Sequence, residues 1–144
     1  MIIEVFSADE MKRLGEKIGR LLKKGETIEL VGDVGAGKTT LTKGLAMGLG
    51  IDDTVQSPSF TISQNYRARD GLYLSHYDFY RLNDAGIMSA ELAEVMEDPF
   101  TVVVIEWAGT VKDVLADNRW KIEISAISED GRRVLLPDEI GELL

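Results

Sequence analysis

Residues 32–40 read GDVGAGKTT, a stretch in which three glycines precede a lysine and two threonines. Glycine loses more conformational freedom on ordering than any other residue, so this concentration of glycine needs a structural reason. The order Gly32, four residues, Gly37, Lys38 and Thr39 is the full phosphate-loop pattern. In that pattern backbone N–H groups surround phosphate oxygens, the lysine reaches the β- and γ-phosphates, and the hydroxyl binds Mg²⁺. The predicted nucleotide-binding residues of this stretch are Asp33, Val34, Gly35, Ala36, Gly37, Lys38, Thr39 and Thr40.

The segments on either side of this stretch agree with a phosphate site. TIELV (27–31) is rich in β-branched and apolar residues and is typical of a strand. Leucines at 41, 45 and 49 then recur every four residues, which predicts a helix that ends at Gly50. A helix that begins at the turn directs the positive end of its dipole toward the same phosphate.

The rest of the chain alternates predicted strands and helices. Ser7, with Glu10 three residues later, has the spacing of a capping box and predicts a helix that ends near Lys23 and Lys24. TVVVI (101–105) is apolar throughout, as in a parallel strand buried on both faces. Together the segments predict an α/β fold of the P-loop NTPase type, with a mostly parallel central sheet, flanking helices and a C-terminal antiparallel hairpin. The other predicted strands are 1–6, 60–66, 72–80, 120–128 and 132–137, and the other predicted helices are 84–98 and 109–115.

Composition limits the classes of protein to which the chain can belong. Its 144 residues are enough for one domain, predicted to span 1–144. It has no cysteine, which excludes disulfides and thiolate metal sites. We find no signal peptide and no apolar run long enough to cross a bilayer, so we expect a cytoplasmic protein without membrane contact.

The formal net charge of −9 would repel a nucleic-acid backbone, so a role in nucleic-acid chemistry would pass through a protein partner. Alternatively, the acidity only keeps the protein in solution.

Acidic residues at the ends of two predicted strands are candidates for catalysis. Glu106 ends the apolar strand VVVIE, where it can hold Mg²⁺ through a water or orient an attacking water. In HYDFYRL (76–82), strand alternation places His76, Asp78 and Tyr80 on one face, and Asp78 is the acid we favour there. His76, the only histidine, is more typical of a hydrogen-bonded core residue. Trp107 either packs in the core or lies at the mouth of the site.

A proline-containing segment lies where nucleotide switches sense the γ-phosphate. QSPSFT (56–61) follows the predicted nucleotide-binding helix and offers three hydroxyl groups. Alternatively, these hydroxyls satisfy their own backbone in a proline turn. The candidate switch residues are Ser57, Ser59 and Thr61.

Four motifs in this order resemble one family. GDVGAGKTT, SPSFT, HYDFYRL and VVVIEWAG look like the bacterial ATPases of tRNA threonylcarbamoyladenosine synthesis, the TsaE type. The resemblance runs from the Ser7-capped helix to residue 115 and is weakest in the C-terminal hairpin. Ser59 stands where the family commonly has threonine, and residues 85–98 replace a usual leucine-glycine-leucine stretch.

The resemblance implies a small ATP- and Mg²⁺-binding protein that hydrolyses ATP slowly on its own. It implies as partners a threonylcarbamoyl transferase subunit and its pseudo-enzyme companion, which this protein resets between turnovers, so that tRNA is contacted only indirectly. By the same resemblance Lys38 and Thr39 hold phosphate and metal and Glu106 is the metal-linked acid. Asp78 and Trp107 fall on positions that matter for activity. Ser7 or Ala8, together with Arg132, are candidates to contact the base.

Two other functions remain open. A nucleotide-sensing assembly module would use the same loop without turnover. A small-molecule kinase would need arginines over an acceptor pocket, and Arg67, Arg69 and Arg81 are the nearest candidates. The Asn-Lys-x-Asp pattern that recognises guanine is absent from the sequence, which favours ATP over GTP.

Overall fold

The computed structural model describes residues 1–33, 35–51, 63–80 and 86–144. The described strands form one seven-stranded sheet. They are β1 (Ile2–Val5), β2 (Thr27–Val31), β3 (Ser63–Arg67), β4 (Tyr73–Asp78), β5 (Thr101–Glu106), β6 (Trp120–Ala126) and β7 (Arg132–Leu135). The α-helices are α1 (Ala8–Leu21), α2 (Lys38–Gly48), α3 (Gly86–Glu97) and the short α4 (Asp138–Gly141).

The sheet is mixed, in the order β1-β7-β6-β2-β5-β4-β3. Strands β6, β2, β5 and β4 pair in parallel, and β3 and β7 run antiparallel to them at either side. β1 pairs antiparallel with β7 and therefore runs in the same direction as the four central strands. The α/β class is therefore confirmed, and the sheet has the predicted parallel centre and the predicted C-terminal antiparallel hairpin, β6 with β7. The antiparallel edge pairings of β3 with β4 and of β1 with β7 were not predicted. Short turns join β3 to β4 and β6 to β7, and a short turn can only join antiparallel strands.

Strand β5 lies at the centre of the sheet and is buried along its whole length. It pairs in parallel with β2 on one side and β4 on the other. The face of β5 that carries Val102 and Val104 packs in one apolar cluster with α1 and α2. The opposite face, with Val103 and Ile105, packs in a second cluster with α3. The prediction of a strand buried on both faces is confirmed.

Helix α1 begins as the sequence predicts and ends earlier. The Ser7 hydroxyl accepts a hydrogen bond from the Glu10 N–H at 3.0 Å. The Glu10 carboxylate accepts from the Phe6 N–H at 2.7 Å, one residue before the position that a standard capping box uses. The helix ends at Leu21, two residues before the pair of lysines near which its end was predicted.

An arginine from another part of the chain binds the carboxyl ends of α1 and α2. The Arg69 guanidinium donates to the carbonyls of Gly19 and Leu22 at 2.9 Å each, and to that of Gly48 at 3.2 Å. The last carbonyls of a helix lack partners within the helix, and a cation also favours the negative end of the helix dipole. Arg69 is therefore a structural residue here, and it is not available as a kinase arginine.

Two of the remaining segments differ from their predicted form. Residues 109–115 were predicted as one helix, but 3₁₀ turns occupy Ala108–Thr110 and Lys112–Val114. Glycine and β-branched residues are poor helix formers, which explains why no α-helix forms there. Helix α4 was not predicted. Among the described residues, no helix combines the length and apolar character needed to cross a membrane.

Helices α1 and α2 pack backbone against backbone through two glycines on each. A Cβ atom placed on Gly44 would lie 2.0 Å from the Lys12 carbonyl oxygen, and one on Gly48 would lie 2.3 Å from that of Glu16. Gly15 and Gly19 of α1 meet the carbonyls of α2 at 2.3 and 2.2 Å in the same construction. Side chains larger than hydrogen would therefore force the helices apart.

We expect Gly44→Ala to destabilise the protein. Helix propensity alone predicts a gain of about 1 kcal/mol from this change. The new methyl group would overpack against backbone that cannot move, which predicts a loss of about 1–3 kcal/mol or more in the free energy of unfolding. We expect this loss to exceed the gain, so that the net change is destabilising. The measurement is the free energy of unfolding in urea.

The matched control is Gly109→Ala, because nothing lies within 4 Å of a Cβ atom at that position. Its free energy of unfolding should stay within about 0.5 kcal/mol of the unsubstituted protein. A Gly44→Ala variant as stable as this control would contradict the backbone contact.

Candidate functional site

The glycine-rich turn (residues 32–37) connects β2 to α2, and each of its glycines has its own structural reason. Gly35 and Gly37 have φ angles of 80° and 108°, which L side chains rarely adopt. A Cβ atom on Gly32 would lie 2.7 Å from the Ile124 carbonyl oxygen of β6. The turn therefore depends on glycine for its backbone angles at two positions and for a close approach at the third. Val34 lies outside the described residues.

The turn leaves the amino end of α2 uncapped by side chains. Gly37 is the N-cap, no described side chain accepts from the first turn, and that turn contains no acidic residue. The first N–H groups of a helix have no partner within the helix, and the dipole makes this end positive. The arrangement is suited to an anion.

Lys38 is held inside the site by two groups of the protein. Its Nζ donates to the Gly32 carbonyl oxygen at 2.5 Å and lies 3.6 Å from the ring centroid of Trp107. Burial lowers the pKa of Lys38, and the nearby carboxylates of Glu106, Asp78 and Asp33 oppose that shift. The ammonium group is therefore placed at the turn, largely out of contact with solvent.

Asp78 and Glu106 lie side by side at the carboxyl edge of the sheet. Strands β4 and β5 are parallel, and their register pairs Asp78 directly with Glu106. Both residues line a cleft of about 320 Å³ together with Lys38 and Thr39. The structure thus brings together the predicted catalytic residues and the predicted hydroxyl. The other residues that line this cleft are Gly35, Gly37, Thr40, Tyr80 and Trp107.

Glu106 has a buried partner on the neighbouring strand. Its Oε2 lies 2.5 Å from Nε2 of His76, and the two residues are 2% and 0% exposed. The preference for His76 as a hydrogen-bonded core residue agrees with this burial. Its partner is Glu106, the acid of the candidate site, and the sequence does not predict this contact.

Trp107 lies at the mouth of the cleft in an unusual backbone conformation. Its φ and ψ angles are 57° and 53°, in the left-handed region that bulky residues avoid. Such a conformation costs about 1–3 kcal/mol and is common at functional sites. The ring is half-buried between Lys38 and the ring of Tyr80, whose centroid is 4.8 Å away. β4 ends at Asp78, so Tyr80 reaches the cleft from beyond the strand and not by strand alternation.

A second cavity of about 200 Å³ lies on the other side of the glycine-rich turn. Its wall combines Ala8 at the start of α1 with Arg132 at the start of β7. Arg132 donates to the carbonyls of the hairpin loop and, at 3.4 Å, to that of Gly35. The predicted base-contacting residues therefore lie together beside the turn. The remaining wall residues are Ser7, Met11, Gly35, Ala36, Gly37, Thr40, Glu129 and Asp130.

The candidate switch residues Ser57, Ser59 and Thr61 lie outside the described residues, as does Arg81. Tyr80 lines the cleft and Met11 lines the second cavity, and no sequence motif assigns either residue to the site. Met11 is part of the apolar stripe of α1, so its pattern predicts a core residue. Gly15 and Gly19 on α1, and Gly44 and Gly48 on α2, recur with a spacing of four residues. This spacing indicates close helix packing, but the prediction of α2 used only its leucines.

The chain is similar to known proteins over most of its length. Residues 5–134 match the family model described as threonylcarbamoyl adenosine biosynthesis protein TsaE. The tRNA threonylcarbamoyladenosine biosynthesis protein TsaE of Bacillus subtilis is 38% identical over 88% of this chain and 78% of its own length. The protein of the same name from Treponema pallidum is 36% identical over 89% and 93%, respectively. The crystal structure of Bacillus subtilis YdiB matches 99% of this chain and 90% of its own with a TM-score of 0.76 and 31% identity.

We expect Trp107 to report ligand binding at the cleft through its fluorescence. The chain has two tryptophans, and a Trp120→Phe variant retains only Trp107. Because the Trp107 ring contacts the Lys38 ammonium, an anion that binds Lys38 changes the surroundings of the ring. Addition of magnesium tripolyphosphate should change its emission in a saturable way.

The matched control is Trp107→Phe, which retains only Trp120. That residue begins β6 and pairs with Ile28 near the start of β2, away from the glycine-rich turn. Its emission should not respond. Equal responses in the two variants would contradict the placement of the anion beside Trp107.

Proposed function

This chain belongs to the TsaE family of tRNA threonylcarbamoyladenosine biosynthesis proteins, and from that membership we propose that it is a Mg²⁺-dependent ATPase serving this modification of tRNA. One observation carries the ATPase part of the proposal. The Lys38 ammonium, the uncapped amino end of α2 and the carboxylates of Asp78 and Glu106 surround a single cleft. Cation, backbone donors and acids in one place are the requirements of phosphoryl transfer.

The phosphates of ATP would bind at the glycine-rich turn. The N–H groups of the first turn of α2 would donate to phosphate oxygens, because no described side chain caps them. Lys38 would exchange the Gly32 carbonyl for a phosphate oxygen. The cleft is large enough at about 320 Å³ for a phosphate group with its metal and water.

The donor groups of the cleft fit Mg²⁺ carried by the nucleotide. Among the described residues no cluster of three or more histidine or acidic side chains could hold a metal alone. Mg²⁺ usually keeps several waters and binds through one or two carboxylates plus substrate phosphates. The Thr39 hydroxyl and the Glu106 carboxylate would hold it, directly or through water. When bound, the metal neutralises charge on the transferring phosphoryl group.

The two carboxylates would share the remaining work of hydrolysis. Glu106 is almost fully buried, so few rotamers are open to its carboxylate, and it is the better group to orient an attacking water. Asp78 stands beside it in register and also accepts from the Tyr80 N–H at 3.0 Å, which fixes its own orientation. Trp107 over the lysine excludes water from that side of the cleft.

The second cavity would take the base and sugar. It shares Gly35, Gly37 and Thr40 with the phosphate cleft, so one nucleotide can reach both. Ala8 and Arg132 would border the base. The absence of a guanine-recognition motif in the sequence supports adenine.

The output of the ATPase would be a change in a partner complex. A chain with a net charge of −9 is poorly suited to grip tRNA directly, which supports contact through proteins. The partners we propose are the threonylcarbamoyl transferase subunit and its pseudo-enzyme companion. A nucleotide-sensing module without turnover is the second candidate, since the same groups would bind ATP without hydrolysing it.

We expect Glu106→Ala to lower the rate of phosphate release from Mg-ATP by about 10²-fold or more, because it removes the group that orients water. ATP binding should persist. The control is Glu97→Ala, an exposed acid on α3, whose rate should not change. Phosphate release is measured with the purified chain.

The same assay with the partner pair and tRNA separates the two candidate functions. An ATPase coupled to partners should release phosphate faster in their presence and lose its role in tRNA modification with Glu106→Ala. A sensing module should keep that role as long as ATP binds. Release that ignores the partners, or that persists in the variant, would refute the proposal.

A further inference from the structure

His76 occupies a position that packing alone does not explain. It is the only histidine of the chain and is fully buried on β4, two residues before Asp78. Its Nε2 lies 2.5 Å from Glu106 Oε2, and no described residue hydrogen-bonds to its Nδ1. Burying a polar atom without a partner costs free energy that an apolar side chain would avoid. A leucine or phenylalanine would fill this space without that cost, so the residue type needs another reason.

The contact with Glu106 restricts where the imidazole proton lies. An ionised carboxylate only accepts hydrogen bonds, so the contact with it requires a proton on Nε2. The other neutral tautomer would require a protonated Glu106 and would leave a buried N–H on Nδ1 without a described acceptor. Buried N–H groups without partners are rarer than acceptors without them. The geometry therefore favours Nε2 as the donor.

We propose that His76 is a positioning residue that fixes the carboxylate of Glu106 by donating a hydrogen bond from Nε2 to Oε2. One carboxylate oxygen is then held by the sheet, and the second is left for the water or metal at the cleft. The inference rests on the proposed function, in which Glu106 acts at that cleft. It adds a residue that touches neither phosphate nor metal and acts through Glu106.

Two amide variants test the bond against simple packing. The amide nitrogen of Gln extends about as far from the backbone as the Nε2 of His, whereas that of Asn extends only as far as Nδ1. His76→Asn should lower kcat and raise the Mg²⁺ concentration for half-maximal activity by about 10–100-fold each, the usual effect of losing a group that orients a metal-linked ligand. KM for ATP should change little, and His76→Gln should restore most of the loss. Equal defects in both variants would overturn the proposal.

Ser75→Ala controls for loss of a buried polar group on the same strand. Ser75 donates to Asn65 at 2.6 Å, and its register partner on β5 is Val103, not Glu106. The variant should lose stability without a change in the Mg²⁺ dependence. A shift in Mg²⁺ dependence as large as that of His76→Asn would assign the effect to stability and refute the positioning role.

Nuclear magnetic resonance of ¹⁵N-histidine-labelled protein gives a readout without turnover. The single histidine produces one pair of ring nitrogen signals, and these show which nitrogen carries the proton. We expect a proton on Nε2, and we expect its signal to shift in Glu106→Ala. A proton on Nδ1 alone would overturn the proposal even if every variant failed to fold.

The two failures can be distinguished. If the chain binds Mg-ATP without hydrolysing it, the proposed ATPase fails. The Nε2 proton and the Mg²⁺ dependence of ATP affinity, measured by calorimetry in His76→Asn and His76→Gln, would still decide the role of His76.

Discussion

The contact between the backbones of α1 and α2 is the constraint on which the rest of the site depends. The four glycines bring the two helix axes so close that carbonyl oxygens of one helix meet the Cα atoms of the other. α2 begins at the glycine-rich turn and α1 begins at Ala8, so this contact sets the distance between the turn and the wall of the second cavity. Arg69 fixes the other ends of the same helices by binding carbonyls of both. A rigid helix pair of this kind presents the turn at a defined position, because packed backbone cannot shift by small amounts.

The acids are placed by a different pair of elements, the parallel strands β4 and β5. Because parallel strands end at the same edge, residues that pair in register arrive there together, and Asp78 and Glu106 do so beside the turn. Because β5 is buried on both faces, the alternation of its apolar residues does not fix this register, but a slip of one residue would turn His76 and Glu106 to opposite faces and break their contact. The helix pair therefore places the cation and the backbone donors, and the strand pair places the carboxylates. His76 belongs to this strand pair, and its contact with Glu106 links β4 to β5 at the position of the acid.

Much of this arrangement follows from local sequence, and the reasons for the exceptions are physical. The strand before the glycine-rich turn, the helix after it and the buried strand TVVVI are set by propensity and periodicity, so the sequence predicts them. The antiparallel pairing of β1 with β7 joins the two ends of the chain, and no local pattern encodes a contact between residues so far apart. For the same reason the sequence located His76 and Glu106 on separate strands but could not show that their side chains meet. Arg69, which binds the Leu22 carbonyl at the end of α1, lies 47 residues further along the chain, so local sequence could not show this contact either. The roles of Asp78, Glu106 and Trp107 remain predictions, although the structure places these residues together.

The charges around Lys38 favour a particular form of ligand. Its ammonium interacts electrostatically with three acids, Glu106, Asp78 and Asp33, and it already contacts a carbonyl and an aromatic ring. A bare polyphosphate would therefore meet more negative side chains than positive ones, and it would also have to draw Lys38 away from its present partners. Backbone donors at the start of α2 offset part of this repulsion but carry only about half a unit of charge. A phosphate that arrives with a divalent cation removes the conflict, because the cation neutralises the phosphate oxygens and the carboxylates at once. The acids proposed to act in hydrolysis would thus also favour a metal-bound nucleotide. The same three side chains oppose the lowering of the Lys38 pKa that burial causes.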